Sequence, residues 1–186
     1  MLDRCGYENA TTNLNEWNYV RGWTDEFVYS IKQIIGMKGS AFTSACMSAG
    51  QNKPVDMLMY YDARPTAFNG LFDMYTYAPL KGYYPFYMWS KLYALENQIE
   101  ATTDDECVYA IGAKNGDKLG AMVTYYSEND NDGIKKVSIC VDGASLDGVR
   151  VYITDEDFTM QECLAYTVEG NTISLRLKRN SILYIE

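Results

Sequence analysis

Histidine is absent from this chain of 186 residues. Its absence excludes Ser-His-Asp and Cys-His catalysis and removes the commonest metal ligand of proteins. Any acid–base chemistry must therefore depend on Asp, Glu, Tyr, Lys or Cys. The five cysteines are an odd number at wide spacings without a C-x-x-C pair, so neither a disulfide framework nor a zinc site is indicated. We expect no metal and no cofactor.

Long hydrophobic runs and clustered positive charges are missing as well. No stretch of eighteen or more apolar residues exists, which argues against a membrane partner. The first residues, MLDRCGYENATTN, lack the basic start and apolar run of a signal peptide, so the chain as written is expected to be cytoplasmic. A net charge of −9 without clustered Lys or Arg argues against nucleic acid. The acidic stretches TTDDE and SENDNDG lack the spacing of a calcium loop and favour solvated turns.

The pattern of the sequence changes near residue 97, which predicts two units, residues 1–96 and 97–186. The first unit contains a strand (10–18), a helix (23–35) that continues or restarts over 36–54, an apolar strand (55–63) and a helix (82–97). Alternating strands and helices are typical of parallel βα units. The apolar run VDMLMYYDA is of the kind that a parallel sheet buries on both faces.

The second unit consists of short segments in which apolar residues alternate with polar ones, as in VSICV, VRVYI and ISLRL. The turns KNGD, NDNDG and EGN have the composition of hairpin connections. We predict seven strands: residues 107–113, 118–127, 135–142, 149–154, 161–168, 172–177 and 181–185. Seven short strands at this spacing indicate an antiparallel β-sandwich.

Glu16, in the stretch NLNEWNYV, is the main candidate for chemistry. A carboxylate at the carboxyl end of a parallel strand, followed by a loop with Trp17, Tyr19 and Trp23, is the arrangement that an α/β barrel uses at its active face. Aromatic residues at such sites commonly stack on sugar rings. The alternative is a surface Glu after a core strand, with the tryptophans as core residues.

The stretch NLNEWNYV resembles the nucleophile motif of retaining glycoside hydrolases of clan A, especially family 39, the β-xylosidase and α-iduronidase group. In that motif a strand ends in Glu, followed by an aromatic residue and Asn. The order of later features is also similar: a helix, the strand MLMYYDA, the stretch NGLF, a helix opening KGYYPFYMWSKL, and a last strand NSILYIE. The resemblance spans most of the chain.

This resemblance implies an α/β plus all-β protein: the last two βα units of a (β/α)8 TIM barrel in residues 1–96, followed by a C-terminal antiparallel β-sandwich in residues 97–186. Glu16 matches the catalytic nucleophile. The sequence has Tyr at positions near the end of the eighth strand where the family often has Trp. With the loop residue Trp23 included, the predicted carbohydrate-binding residues are Trp17, Asn18, Trp23, Tyr60, Tyr61 and Asp62.

The second carboxylic acid of such an enzyme is missing from this sequence. Retaining glycosidases use two carboxyl groups about 5 Å apart, and the acid/base motif Asn-Glu-Pro does not occur here. Asn15 and Glu16 do not fit that motif, because Trp17 stands in place of Pro and only one further βα unit follows. We therefore expect the C-terminal portion of an enzyme that acts on an oligo- or polysaccharide.

Three possibilities remain open for the rest of the barrel: it belongs to a preceding segment, it is supplied by another chain or by self-association, or it has been lost and the remnant is kept as a sandwich with a helical flank. If a preceding segment exists, the localisation of the parent enzyme stays open and includes secretion and the periplasm. A non-catalytic carbohydrate-binding or structural β-sandwich module is the alternative function.

Overall fold

The computed structural model describes residues 3–7, 9–66 and 69–186. In this part of the chain, a short 3-10 helix covers Asp3–Cys5, and the α-helices are α1 (Phe27–Ile34), α2 (Met37–Gly50) and α3 (Tyr83–Tyr93). The strands are β1 (Asn13–Trp17), β2 (Met57–Tyr60), β3 (Asn97–Ile99), β4 (Val108–Asn115), β5 (Lys118–Tyr125), β6 (Lys135–Cys140), β7 (Val151–Thr154), β8 (Gln161–Glu162), β9 (Tyr166–Glu169), β10 (Thr172–Leu177) and β11 (Ser181–Ile185). Among these residues, no helix has the length and apolar character to span a membrane, and no three potential metal ligands converge.

Strands β1 and β2 form a two-stranded parallel sheet, and α1 and α2 connect them. A parallel pair needs a long crossover, usually helical, which explains this order. Leu14 pairs with Leu58, and Trp17 pairs with Tyr60. Two residues of β1 therefore oppose a single residue of β2, which marks a β-bulge near the end of β1.

Helices cover only one face of this parallel pair. Gly50 of α2 lies so close to Leu58 that a Cβ atom there would be 2.9 Å from Leu58 Cδ1. The alternate residues Met57 and Met59 are 47% and 44% exposed. The prediction that this strand is buried on both faces is therefore wrong, because nothing in the described chain covers its second face.

Helices α2 and α3 pack on a six-stranded antiparallel sheet with the strand order β3-β4-β5-β11-β7-β8. Met88 of α3 and Met122 of β5 are fully buried in this interface. The small residues of α2 allow its backbone to approach the sheet closely. Ser44 Oγ lies 2.5 Å from Thr124 Oγ1 of β5, so both buried hydroxyls are satisfied.

A three-stranded antiparallel sheet, in the order β6-β10-β9, packs on the other face of the six-stranded sheet. Alternate residues of β10, Ile173, Leu175 and Leu177, are buried in the same cluster as Val123 and Leu183 of the larger sheet. The alternation in ISLRL thus identifies the buried face of β10. The molecule is mixed, with helices on one side and two antiparallel sheets beneath them.

The prediction of a single strand over residues 161–168 is wrong. The chain pairs with β7 as β8, then leaves the six-stranded sheet and pairs with β10 as β9. Leu164, which is 83% exposed, lies between the two strands. The other six predicted strands are found within two residues of their expected ends, whereas β3 was not predicted because it has only three residues.

A buried cluster crosses the predicted boundary at residues 96 and 97. It joins Ala41 of α2 and Leu92 of α3 to Ile111 of β4 and Ile182 of β11. The division into two domains stays a prediction, and the two parts share one hydrophobic interface.

Candidate functional site

Glu16 lies in the bulge at the carboxyl end of β1. The next residue, Trp17, packs edge-on against Tyr60, with ring centroids 5.4 Å apart. Its ring is also tilted against that of Phe42 of α2, with centroids 6.4 Å apart. Asn15 and Glu16 oppose Met59 in the bulge, and Met59 lies on the exposed face of β2, so we place Glu16 on this open face, away from the helices. It is exposed, and within the described residues its carboxylate makes no hydrogen bond or ion pair.

Hydrogen bonds join the carboxyl ends of β1 and β2. The backbone N–H of Tyr61 donates to the carbonyl oxygen of Trp17 at 2.9 Å. The amide of Asn18 donates to the carbonyl oxygen of Tyr61 at 2.6 Å and accepts from the backbone N–H of Tyr19 at 2.7 Å. Three of the predicted site residues are thereby brought together beside the candidate carboxylate.

Tyr60 points toward the helices. Its hydroxyl donates to the carbonyl oxygen of Asn69 at 2.5 Å, and its ring lies edge-on to Phe86 of α3 at 5.3 Å. Burial raises the pKa of the Tyr60 hydroxyl, which stays a neutral donor. These contacts give Tyr60 a packing role, and its place in a substrate pocket stays a prediction.

Asp62 is held by Arg64, which the sequence reasoning missed. The guanidinium Nε of Arg64 donates to Asp62 Oδ2 at 2.8 Å, and Arg64 Nη2 donates to the hydroxyl of Tyr61 at 3.2 Å. The hydrogen bond and charge of Asp62 raise the pKa of Arg64. The peptide bond between Tyr61 and Asp62 is cis. The sequence did contain a signal for this ion pair: the cationic Arg64 follows the carboxylate of Asp62 by two residues, just after the end of β2.

Trp23 lies in the loop between β1 and α1 and is 65% exposed. Its ring is tilted against Phe27, with centroids 6.1 Å apart. This loop leaves the carboxyl end of β1, so Trp23 and Glu16 belong to the same edge of the parallel pair. The substrate-binding role of Trp23 stays a prediction.

The connection between β5 and β6 fixes the chain just after Glu16. The hydroxyl of Tyr19 lies 2.9 and 3.1 Å from the carboxylate oxygens of Glu128. Burial raises the pKa of Tyr19, and its hydrogen bonds to Tyr29 and Glu128 add to this effect. Glu128 belongs to the stretch SENDNDG, for which the sequence favours only a solvated turn. Glu128 is exposed, which agrees with that prediction, and it also supports the loop that follows β1.

The site supplies one free carboxylate, exposed aromatic rings and a fixed amide at the carboxyl edge of a parallel pair. An exposed carboxylate can act as a nucleophile or stabilise a positive charge. Asp62 is already paired with Arg64, so it is a weaker candidate for either role.

No protein-family model matches the chain, and no curated protein sequence matches it. Several solved structures do. A glycoside hydrolase family 30 subfamily 8 xylanase, Xyn30A from Clostridium acetobutylicum, matches with a TM-score of 0.68 and 13% identity over 94% of this chain and 42% of its own. A family 44 xyloglucanase from Paenibacillus polymyxa, solved with xyloglucan, matches with a TM-score of 0.60 and 14% identity over 96% of this chain and 32% of its own. A glucosidase from Croceicoccus marinus matches with a TM-score of 0.65 and 13% identity over 99% of this chain and 47% of its own.

At these identities the likeness shows the fold. The resemblance to clan A glycoside hydrolases is confirmed at that level, through families 30 and 44. These matches do not support family 39 specifically. The chain spans less than half of the length of each of these structures.

Proposed function

We propose that this chain is the carboxyl-terminal part of a retaining glycoside hydrolase that cleaves O-glycosidic bonds in an oligo- or polysaccharide, with Glu16 as the nucleophile. The observation that carries the proposal is the position of Glu16 at the end of a parallel strand, on the open face of the pair. In this proposal β1 and β2 are the seventh and eighth strands of a TIM barrel, and the two antiparallel sheets form the β-sandwich. Family 39 is the finer part of the proposal and rests on the order of the sequence motifs.

The open face of the parallel pair supports an incomplete barrel. Met57 and Met59, the alternate residues of β2, are 47% and 44% exposed. In a closed barrel each strand has two neighbours, and the inward side chains fill the interior. Two parallel strands with an uncovered apolar face are marginally stable at best. We infer that further βα units, from a preceding segment, another chain or a second copy, cover this face.

In the proposed mechanism the Glu16 carboxylate attacks the anomeric carbon and forms a covalent glycosyl ester. A second carboxylic acid protonates the leaving oxygen and then activates the water that releases the sugar. That second group comes from the completing strands, since Asn-Glu-Pro is absent from this sequence. Asn18 fixes the strand ends, while the exposed rings of Tyr61 and Trp23 are available to contact sugar.

A second candidate is a carbohydrate-binding or structural module in which Glu16 has no chemical role. One observation favours it: the two antiparallel sheets share a well-buried core of their own, whereas no group within the described residues orients the Glu16 carboxylate. Glycan binding that is independent of Glu16, without hydrolysis, is the outcome that this candidate predicts.

The test uses the protein isolated from its native source together with any further segment or partner. Hydrolysis of aryl β-xylosides and β-glucosides is compared between wild type and Glu16→Gln. Loss of a nucleophile is expected to lower kcat by about a thousandfold or more. Glu26→Gln, which changes an exposed carboxylate just before α1, serves as the matched control and should leave kcat unchanged. Full activity of Glu16→Gln would instead exclude the nucleophile role.

A further inference from the structure

The loop between β2 and α3 presents exposed side chains that the proposed mechanism does not use. Met74, Tyr75 and Tyr77 are 43%, 81% and 67% exposed. They lie at the tip of a narrow hairpin, residues 72–79, which is closed by a bridge between Phe72 and Pro79. Neighbouring exposed aromatic side chains on a loop are a candidate interaction surface.

Asp73 braces the tip of the hairpin. Its Oδ1 accepts hydrogen bonds from the backbone N–H of Tyr75 at 3.0 Å, the backbone N–H of Thr76 at 2.7 Å and the hydroxyl of Thr76 at 2.9 Å. Its backbone N–H donates to the carbonyl oxygen of Ala78 at 2.9 Å. The tip is therefore held in one conformation, so a ligand would lose little affinity by ordering it.

Tyr77 has a φ of +58°, in the left-handed region that favours glycine. A large aromatic residue at such a position is unfavourable for the backbone. Strained positions of this kind concentrate at binding and catalytic sites, where the side chain is needed. This observation is independent of the exposure of Tyr75 and points to the same tip.

The base of the hairpin lies at the carboxyl end of β2. Asn69 is fully buried, and its side-chain oxygen accepts from the backbone N–H groups of Leu71 and Phe72 at 2.6 and 2.7 Å. The carbonyl oxygen of Asn69 accepts from the hydroxyl of Tyr60, the last residue of β2. The hairpin thus rises from the same edge of the parallel pair that carries Glu16.

The chemistry of the hairpin suits an uncharged ligand. Asp73 is the single charged residue in residues 69–80, and no Lys or Arg is present there to hold a phosphate or an anionic lipid. Rigid tyrosine rings offer flat apolar faces together with a hydroxyl, at low entropic cost. Such faces match the C–H faces of sugar rings.

We propose that hairpin 72–79 is a docking platform for an uncharged polysaccharide chain, on which Tyr75 and Tyr77 stack against sugar rings outside the residues around Glu16. The choice of a polysaccharide rests on the proposed glycosidase function. The platform extends the binding surface along the carboxyl edge of the strands.

The experiment measures binding of soluble xyloglucan and neutral xylan by affinity electrophoresis and calorimetry. Tyr75→Ala and Tyr77→Gly are compared with wild type, since glycine accepts the backbone conformation of residue 77. Each substitution is expected to weaken binding by about tenfold. Tyr93→Ala is the matched control, because Tyr93 at the end of α3 is also 81% exposed. It should bind as wild type does, and unchanged melting temperatures verify that all variants are folded.

The platform is overturned if wild type binds neither polysaccharide, if both tyrosine variants bind as wild type does, or if Tyr93→Ala weakens binding equally. Loss of self-association in Tyr75→Ala, with glycan binding intact, would also overturn it in favour of a protein contact. Glu16→Gln separates this proposal from the previous one. If activity depends on Glu16 but binding does not depend on Tyr75 or Tyr77, only the docking-platform proposal is excluded. If binding depends on the two tyrosines but activity does not depend on Glu16, only the nucleophile role of Glu16 is excluded.

Discussion

Asn18 sets the geometry of the candidate site through one amide group. Its oxygen accepts from Tyr19 and its nitrogen donates to the carbonyl oxygen of Tyr61, so it bridges two strand ends that lie 43 residues apart. The position of Asn18 after the candidate nucleophile was predictable from the motif. Its bridging role was not, because that role depends on the register of β1 against β2.

Replacing Asn18 should destabilise the protein although the residue is not in the core. Asn18→Ala leaves the carbonyl oxygen of Tyr61 and the N–H of Tyr19 without this partner, and we expect the free energy of unfolding to fall by about 1–2 kcal/mol. Asn13→Ala, at the start of the strand that Asn18 follows, removes only a 3.3 Å hydrogen bond to Thr11 and should have little effect. Urea unfolding measures both variants. Equal effects would show that the bridge contributes no specific stability.

Among the structural elements, α2 and the β5–β6 connection are joined by a buried amine. Lys38 is 4% exposed, and its Nζ donates to the hydroxyl of Tyr29 at 2.9 Å, the carbonyl oxygen of Glu128 at 2.8 Å and Asp130 Oδ1 at 3.2 Å. Burial lowers the pKa of Lys38, but these hydrogen bonds and the nearby carboxylates outweigh it, so its pKa is raised. The β5–β6 connection is therefore held by Tyr19 through the Glu128 carboxylate and by Lys38 of α2 through the Glu128 carbonyl oxygen and Asp130.

The same cluster predicts a loss of stability in acid. Hydrogen bonds from Arg179 and Lys38 lower the pKa of Asp130. Burial raises the pKa of Glu128, but hydrogen bonds from Tyr126 and Tyr19 and the charge of Lys38 outweigh it, so its pKa is also lowered. A carboxylate whose pKa is lower in the folded protein stabilises it above the unfolded pKa, and this contribution disappears as pH falls through the folded value.

We therefore expect the free energy of unfolding to decrease as the pH falls below about 4.5, the ordinary pKa of a Glu carboxyl. The difference between wild type and Glu128→Gln should be largest near neutral pH and should shrink as the pH falls through the lowered pKa of Glu128, because the protonated carboxyl is then uncharged like the amide. Chemical denaturation across this range measures it. Glu106→Gln, at an exposed position, is the control. A difference that stays constant with pH would show that the charge of Glu128 does not matter.

Local patterns in the sequence predicted the elements whose partners are adjacent in the chain. Strands β10 and β11 were found at the predicted positions because alternation and turns define them locally. The division of residues 161–168 into β8 and β9 was not predictable, since it depends on which sheet each half joins. For the same reason the motif located Glu16 but not the support from Glu128, which follows 112 residues later in the sequence.

At the scale of the whole molecule, the described residues form two well-packed interfaces and leave one face of the parallel pair uncovered. The helices bury one face of the six-stranded sheet, and the three-stranded sheet buries the other. The parallel pair keeps an uncovered apolar face that bears Met57 and Met59 and lies beside Glu16. The structural match to the family 30 xylanase covers 94% of this chain but only 42% of the xylanase. Both observations support the proposal that the chain is one section of a larger barrel.

Covalent trapping tests most directly whether Glu16 is a glycosidase nucleophile. The native protein, with any segment or partner that accompanies it, is treated with 2-deoxy-2-fluoro-xylosyl and glucosyl fluorides, whose fluoride leaves without acid catalysis while the sugar ester breaks down slowly. Peptide mass spectrometry should find one fluorosugar on the peptide that contains Glu16, and none in Glu16→Gln. A label on a different carboxylate, or hydrolytic activity without any label on Glu16, would contradict the assignment.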